Sequence, residues 1–295
     1  MGYLAFITVV WAFSFNLIGE YLAGRVDSDF AVLTRVVLAL LVFLPLLRAR
    51  GFAVARILGT IAAGALQFGL TYLLLYRSFA YLSVPEVLLF TIFTPIYITL
   101  LDDAFRGRFT PRASLAALIA IAGSAIIRYD GLSGDFLTGF LLLQLANLSF
   151  ALGQIGYKWL VARHPSDLPP RAGFGWFFVG ALLVALPSFL IFGNPARLPT
   201  TALQWSVLVY MGLVASALGF FWWNKGASLV DAGTLGAMNN THIPIGIALH
   251  MLIWGSDENV GRLVLGGAVI GLALWLNEHW RRRAAPAGTA QRTGA

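Results

Sequence analysis

Most polar side chains of this sequence that could do chemistry lie inside long apolar runs, where each needs a reason to be there. Gln144, Asn147, Ala151, Gln154 and Lys158 recur at helical spacing and fall on one face. A stripe of amides of this kind either walls a wet cavity or hydrogen-bonds neighbouring helices. Asn239 and His242 share a face with Leu235, Gly246 and His250. An imidazole there can hydrogen-bond a substrate or carry a proton, and the plainer alternative is a histidine hydrogen-bonded within the core. Glu86, Phe90, Phe93 and Tyr97 share another face. A carboxylate above aromatic rings could hold an ammonium group. The plainer reading has Glu86 pairing with Arg77 or capping a helix that starts beside Pro85, with the rings as ordinary packing.

Three more stripes complete the set. Asn16 aligns with Val9, Phe13 and Glu20; Gln67 aligns with Thr71, Leu74 and Ser78 while Tyr72 and Tyr76 form a second row; Ser216, Phe220 and Trp223 align further on. Trp223 also suits an interfacial anchor. Arg35 reads as structural, either snorkelling outward or pairing with Glu20. Pro95 and Pro244 each remove a backbone donor and free a carbonyl a turn earlier, a feature tolerated at membrane depth beside protein or a cavity. The expected substrate site therefore lies between the segments that carry them. It consists of Glu86, Phe90, Phe93, Tyr97, Asn239, His242 and Trp223, with Asn16, Gln67, Gln144, Asn147 and Gln154 as further lining.

Other chemistries lack their parts. There are no cysteines, which excludes disulfides, thiolate metal sites and a cysteine nucleophile. No phosphate-cradling Gly-Lys-Ser loop and no Gly-x-Ser-x-Gly elbow occurs. His242 and His250 stand eight residues apart with no acidic residue between them, which is poor metal spacing. No catalytic residue, metal or cofactor is expected. The net charge of +7 gathers in short loops and at the C-terminus, a membrane-protein pattern that gives no reason to expect nucleic acid.

The elements that must position these side chains follow from composition. The 295 residues are 59% hydrophobic and only 11% charged, against about 25% in soluble domains, and the mean hydropathy is +0.79. A lipid bilayer is thus the expected surrounding partner. Charges, Pro and Gly divide the chain into ten runs near the roughly 20 residues that a membrane-crossing helix needs: 4–22, 30–47, 56–76, 83–101, 112–128, 136–157, 172–192, 203–223, 230–253 and 262–280. No secretory signal precedes the first run, which is expected to be retained. With a cytoplasmic N-terminus, fourteen of the 20 Lys and Arg residues fall in inside segments and five outside. Both termini are therefore expected in the cytoplasm, and 282–295 as a disordered cytoplasmic tail.

The runs also repeat. Ser14-Phe15 answers to Ser149-Phe150, Leu44-Pro45 to Leu186-Pro187, Pro95 to Pro244, and Ala122-Gly123 to Ile270-Gly271. Two units, 1–130 and 135–281, each hold five spans. An odd-numbered unit enters the membrane from the opposite side the second time, the inverted plan of many secondary transporters. The fold class expected is all-α integral membrane, ten transmembrane helices as two inverted five-helix repeats.

On these residues the chain resembles the drug/metabolite transporter superfamily, its EamA-type ten-helix members in particular. The resemblance is carried by Phe79-Ala80-Tyr81-Leu82-Ser83, Thr94-Pro95 and Ala120-Ile121-Ala122-Gly123 in the first half. Gly226-Ala227-Ser228-Leu229, Ile243-Pro244 and Ala268-Val269-Ile270-Gly271 answer in the second, with Trp11-Ala12-Phe13-Ser14-Phe15 and Arg35 near the start. Glu86-Val87 ahead of Pro95, and Trp223-Asn224-Lys225-Gly226, resemble the YddG-type aromatic amino acid exporters. Asp102-Asp103 stands where the family has Gly-Glu, and Asn239-Asn240-Thr241-His242 is more polar than that exporter group. The resemblance implies a secondary or facilitative exporter of small metabolites in a bacterial inner membrane, amino acids first and aromatic ones foremost. Proton coupling is an option, as is either a monomer or a homodimer. Organic cations, with Glu86 and Glu20 as counter-charges, are the alternative cargo, and a channel or membrane-embedded enzyme is the rival class.

Overall fold

The computed structural model describes residues 2–105, 107, 134–227, 232–255 and 260–284, together with 115, 118, 119, 122, 123 and 126. Among the described residues nine main helices stand out. Seven are long and apolar enough to cross a membrane: α1 (Leu4–Leu22), α2 (Ser28–Leu46), α3 (Val54–Ser78), α4 (Val84–Phe105), α5 (Asp135–Arg163), α6 (Arg171–Phe192) and α7 (Ala202–Trp223). Two more follow, α8 (Ala232–Ile253) and α9 (Val260–Ala284), within which Thr241–Ile253 and Val260–Ala273 are the apolar stretches. Nine of the ten expected runs thus coincide with helices. Most of the fifth, 112–128, lies outside the described residues. So does 285–295 of the expected tail, while α9 continues as helix through Ala284.

The chain divides into two compact units, one of 1–94 with 133–257, the other of 95–132 with 258–295. In the first unit eight helical segments contact one another in cyclic order. α1 packs on α7 and α8, α2 on α6 and α7, α3 on α5 and α6, and the first half of α4 on α5 and α8. Close approach needs small residues at the crossings. Gly64 of α3 lies against the Phe177 backbone, and Gly180 of α6 against that of Ile61, so close that a Cβ at either would collide with main chain. In the second unit a Cβ at Gly123 would stand 2.6 Å from the Ile270 side chain. Outward-facing Leu183, Leu190, Ile191 and Leu252 are exposed, a surface that hydrocarbon solvates at no cost.

Local signals set the helix starts. Asp27 caps α2 by accepting from Phe30 N at 2.8 Å. Ser83 and Glu86 form a capping box at the start of α4, and Thr201 and Gln204 form one at the start of α7. Several helices are not regular throughout. Wider π-helical turns occupy Ile18–Leu22, Ala65–Leu70 and Tyr210–Leu218. A tighter 3-10 turn at Thr91–Phe93 stands just ahead of Pro95, which cannot donate the next backbone bond.

Candidate functional site

These irregular turns converge on one place. A cavity of about 110 Å³ inside the first unit is lined by Ile18 from the first π turn, Thr71 just after the second, Phe220 just after the third, and Thr91 from the 3-10 turn. Changes of helical pitch redirect side chains and are frequent at functional sites. Trp11, Ser14 and Phe15 of α1, Arg35 of α2, Tyr72 and Leu75 of α3, Thr94 of α4, Leu143, Ala146, Asn147 and Phe150 of α5, and His242 of α8 complete the wall. Ring faces and aliphatic groups dominate, with a few polar groups set among them, the usual make-up of a small-molecule pocket.

Those polar groups are held firmly. Asn147 Nδ2 donates to Phe90 O at 2.9 Å and to Gln144 Oε1 at 3.3 Å. Thr71 Oγ1 is 2.9 Å from Leu66 O, in the π turn just before it, and 3.3 Å from Ala146 O. Trp11 Nε1 donates to Ala215 O at 3.1 Å, and Ser14 Oγ to Val10 O at 2.7 Å. The His242 ring stacks on Phe15 with centroids 5.5 Å apart. Arg35 is 4% exposed. Its Nε donates to Ser216 Oγ at 2.5 Å, its guanidinium carbon lies 3.9 Å above the Tyr72 ring, and Tyr72 Oη is 3.4 Å from Ser216 Oγ.

Of the residues expected to bind substrate, the cavity brings together Asn147 and His242. Gln144 stands behind Asn147 as its hydrogen-bond partner. Glu86 is fully buried, but its Oε2 accepts from Ser83 N at 2.9 Å and Ser83 Oγ at 3.1 Å, the geometry of a helix cap. Phe90 and Phe93 face Phe140 edge-on, at 5.2 and 6.0 Å between centroids. Trp223 packs with Leu4 and Ile7 and lies 4.8 Å from the Trp11 ring. Asn16 locks α1 to α8: its Nδ2 donates to Gly246 O at 3.0 Å and its Oδ1 meets His250 Nδ1 at 3.0 Å. Gln67 sits at the crossing with Gly153. Gln154 is half-buried away from the cavity wall, and Tyr97 belongs to the second unit. The Asn239 side chain lies outside the described residues.

Two expectations about charge are corrected. Arg77 pairs with Asp29 at 2.7 Å and not with Glu86. Arg35 neither snorkels nor pairs with Glu20, whose carboxylate lies 3.7 Å from His250 Nδ1. Sequence reasoning named Arg35, Tyr72 and Ser216 but left them out of the expected site, with Arg35 read as structural. The available signal was the Tyr72 and Tyr76 row together with the lone cation inside an apolar run.

Helices of membrane-crossing length around a mostly apolar cavity in the first unit have the make-up of a carrier for small organic molecules. The family description "EamA-like transporter family" matches residues 1–129 and 137–278, and the chain belongs to that family. It is similar to a "Probable biotin transporter" of Pseudomonas aeruginosa, 63% identical over 96% of this chain and 99% of the relative. It is also similar to the "Biotin transporter" of Salmonella typhimurium, 48% identical over 95% and 93%, and to that of Escherichia coli K12, 47% identical over the same shares. A solved structure described only as a crystal structure of a protein shares the fold, with a TM-score of 0.62 at 18% identity over 95% of this chain and 96% of its own. The chain is therefore a multi-pass transporter of small organic metabolites in a bacterial inner membrane, and not an enzyme. The likeness to aromatic amino acid exporters is overturned. It rested on two short runs, whereas the biotin transporters match along nearly the whole chain.

Proposed function

We propose that this protein carries biotin across the membrane, holding it in the cavity between α1, α2, α3, α4, α5, α7 and α8. The observation that carries the reading is the 63% identity, over almost the full length of both chains, to a protein named a probable biotin transporter. The chemistry of the cavity is compatible with it. Biotin joins a fused ring bearing a cyclic urea to an alkyl chain ending in a carboxylate. Leu75, Leu143, Ala146 and Phe150 offer apolar surface to the alkyl and thioether parts. The Asn147 amide, the Thr91 and Thr94 hydroxyls and the His242 ring are of the types that pair with a urea.

The same reading takes the chain as ten spans in two inverted five-helix repeats. Two supports favour it. The family description matches twice, once in each half. The cyclic contact order of the first unit also maps onto itself when the first four expected runs are exchanged with the sixth to ninth. Alternating access would then rock one repeat against the other around the cavity.

Counterflow in proteoliposomes tests the cargo. Vesicles preloaded with biotin should accumulate labelled biotin transiently, and unlabelled biotin, but not phenylalanine or tryptophan, should abolish the signal. Absence of biotin counterflow from protein that melts cooperatively would overturn the assignment.

A further inference from the structure

We infer that Arg35 is the carboxylate anchor of the cavity, so that the site selects monocarboxylates with an apolar body over their neutral amides and alcohols. The inference rests on the cavity reading above and deepens it by naming the charge that the cargo must carry.

The argument begins with cost. A guanidinium keeps its proton under all ordinary conditions, and a cation inside the membrane is expensive unless something compensates it. Arg35 lies on α2, seven residues after Ser28 in its α-helical part Ser28–Phe43, and is 4% exposed. Among the described residues it forms no ion pair with a carboxylate; Asp29 pairs with Arg77, and the Glu20 carboxylate lies 3.7 Å from His250 Nδ1. What it does have is neutral. Ser216 Oγ takes the Nε–H bond and the Tyr72 ring lies under the guanidinium plane. A hydroxyl and a ring face orient the group and soften its desolvation, but neither cancels its charge.

The orientation matters as much as the missing anion. With Nε committed to Ser216 and one face covered by Tyr72, the two Nη nitrogens are the part of the group left to pair with a ligand, and the buried Tyr76 hydroxyl stands close to the same guanidinium. Those two nitrogens form the planar fork that matches a carboxylate with two parallel hydrogen bonds. Arg35 is also part of the cavity wall. The helix bearing Ser216 reaches α2 because Gly212, one turn earlier, lies against Leu38 and the Arg35 carbonyl, where a Cβ would stand 2.6 Å from the Leu38 side chain. Four elements of sequence, Arg35, Tyr72, Gly212 and Ser216, thus build one oriented cation beside an apolar space.

A consequence for transport follows. The Arg35 charge on the cavity wall has no carboxylate partner among the described residues, and a bound carboxylate would neutralise it. Closure around a neutral pair costs less in low dielectric than closure around a lone cation, so the loaded carrier is the one favoured to occlude.

The test compares ligands first and variants second, using the full chain in nanodiscs. Wild-type protein should bind biotin roughly 30-fold or more tightly than biotinamide or biotinol, the scale expected for a buried charge pair losing one partner. Arg35→Gln should abolish that preference by weakening biotin while leaving biotinamide within about threefold, and Arg35→Lys should restore it only in part because the fork is gone. The ligand comparison needs no mutation, so a variant that fails to fold does not shield the inference. Should wild-type protein bind neither biotin nor biotinamide, the biotin reading fails alone. Arg35 is then judged on octanoate against octanamide, where an equal response overturns the anchor. Equal affinity for biotin and biotinamide, or Arg35→Gln weakening both alike, also overturns it while leaving biotin as cargo.

Discussion

Two arginines on neighbouring helices, Arg77 on α3 and Arg35 on α2, show opposite ways of keeping a cation in an apolar setting. Arg77 Nη2 donates to both oxygens of Asp29, at 2.7 and 3.0 Å, and to Ser188 Oγ at 3.2 Å, while Ser188 itself donates to Asp29. The cluster ties α2, α3 and α6 together, and every charge in it has a partner. Arg35 sits on the same helix as Asp29, six residues on, yet has a hydroxyl and a ring in place of a carboxylate. A charge fully compensated by its own protein serves as a pin. One without a carboxylate partner beside a cavity is, on the anchor proposal, the one that serves a ligand. The contrast assigns stability to one node and cargo recognition to the other, and each can be perturbed without touching its counterpart.

The largest effect on the structural side should come from Asp29→Asn. Asparagine keeps the shape and one acceptor but removes the charge opposite Arg77. Breaking a buried pair costs about 3–5 kcal/mol, and because the Arg77 side chain is 36% exposed the figure is discounted to about 1–3 kcal/mol. A lower melting temperature is expected, with biotin affinity of the folded protein within about threefold of wild type, since Asp29 does not line the cavity. A variant that kept its melting temperature but lost biotin would reverse the roles of the two nodes.

A smaller effect, on the other side, is expected from Ser216→Ala. The change removes the Nε acceptor, frees the guanidinium to rotate on Tyr72, and leaves its charge in place. Biotin affinity should fall about 3- to 10-fold, the net worth of one ordinary hydrogen bond, because the lost bond orients the cation and does not itself touch the ligand, and biotinamide affinity should stay nearly constant. Titrating both ligands against the variant by isothermal calorimetry separates orientation of the cation from its presence. An equal drop for the two would show that Ser216 supports the cavity wall generally.

The sequence made the spans legible because a bilayer imposes length and apolarity on each segment independently of its neighbours. The expected 4–22, 136–157 and 172–192 fall within or along Leu4–Leu22, Asp135–Arg163 and Arg171–Phe192. The site was less legible. Helical spacing says which side chains share a face, and Phe90 and Phe93 do, but that face meets Phe140. Only the packing of α4 on α5 decides this. Arg35 was misjudged for a similar reason: whether a cation in an apolar run snorkels, pairs or points inward depends on its depth and on helices distant in sequence, here those bearing Tyr72 and Ser216. The pitch changes that gather Ile18, Thr71 and Phe220 around the cavity have no one-residue signature, since none of the π turns contains a proline. Asn147, by contrast, was marked because an amide in the middle of a span needs partners; the carbonyl of Phe90 supplies one, and the side chain stands on the cavity wall.

The smallest effect should follow Glu86→Gln, and it is informative because Glu86 is a buried ionisable group that helical spacing marked as a ligand contact. An ammonium-binding role would make the carboxylate charge indispensable. The geometry points elsewhere. Oε2 accepts from the Ser83 backbone N–H and from Ser83 Oγ, and Ser83 Oγ lies 3.4 Å from the Glu86 amide nitrogen, closing a reciprocal cap on the first turn of α4. Glutamine is accepted at this position of a capping box because its carbonyl oxygen serves the same donor. What it forgoes is the interaction of a negative charge with the helix N-terminus, about 0.3–1 kcal/mol. The expected outcome is a melting temperature lowered by a degree or two at most, with biotin affinity and the preference for biotin over biotinamide unchanged. Neutral, acidic and amine-bearing ligands should respond alike. A tenfold loss of biotin affinity at unchanged melting temperature would place a second charge in the recognition of cargo, and the division between paired groups that hold the fold and the one cation that reads the ligand would no longer stand.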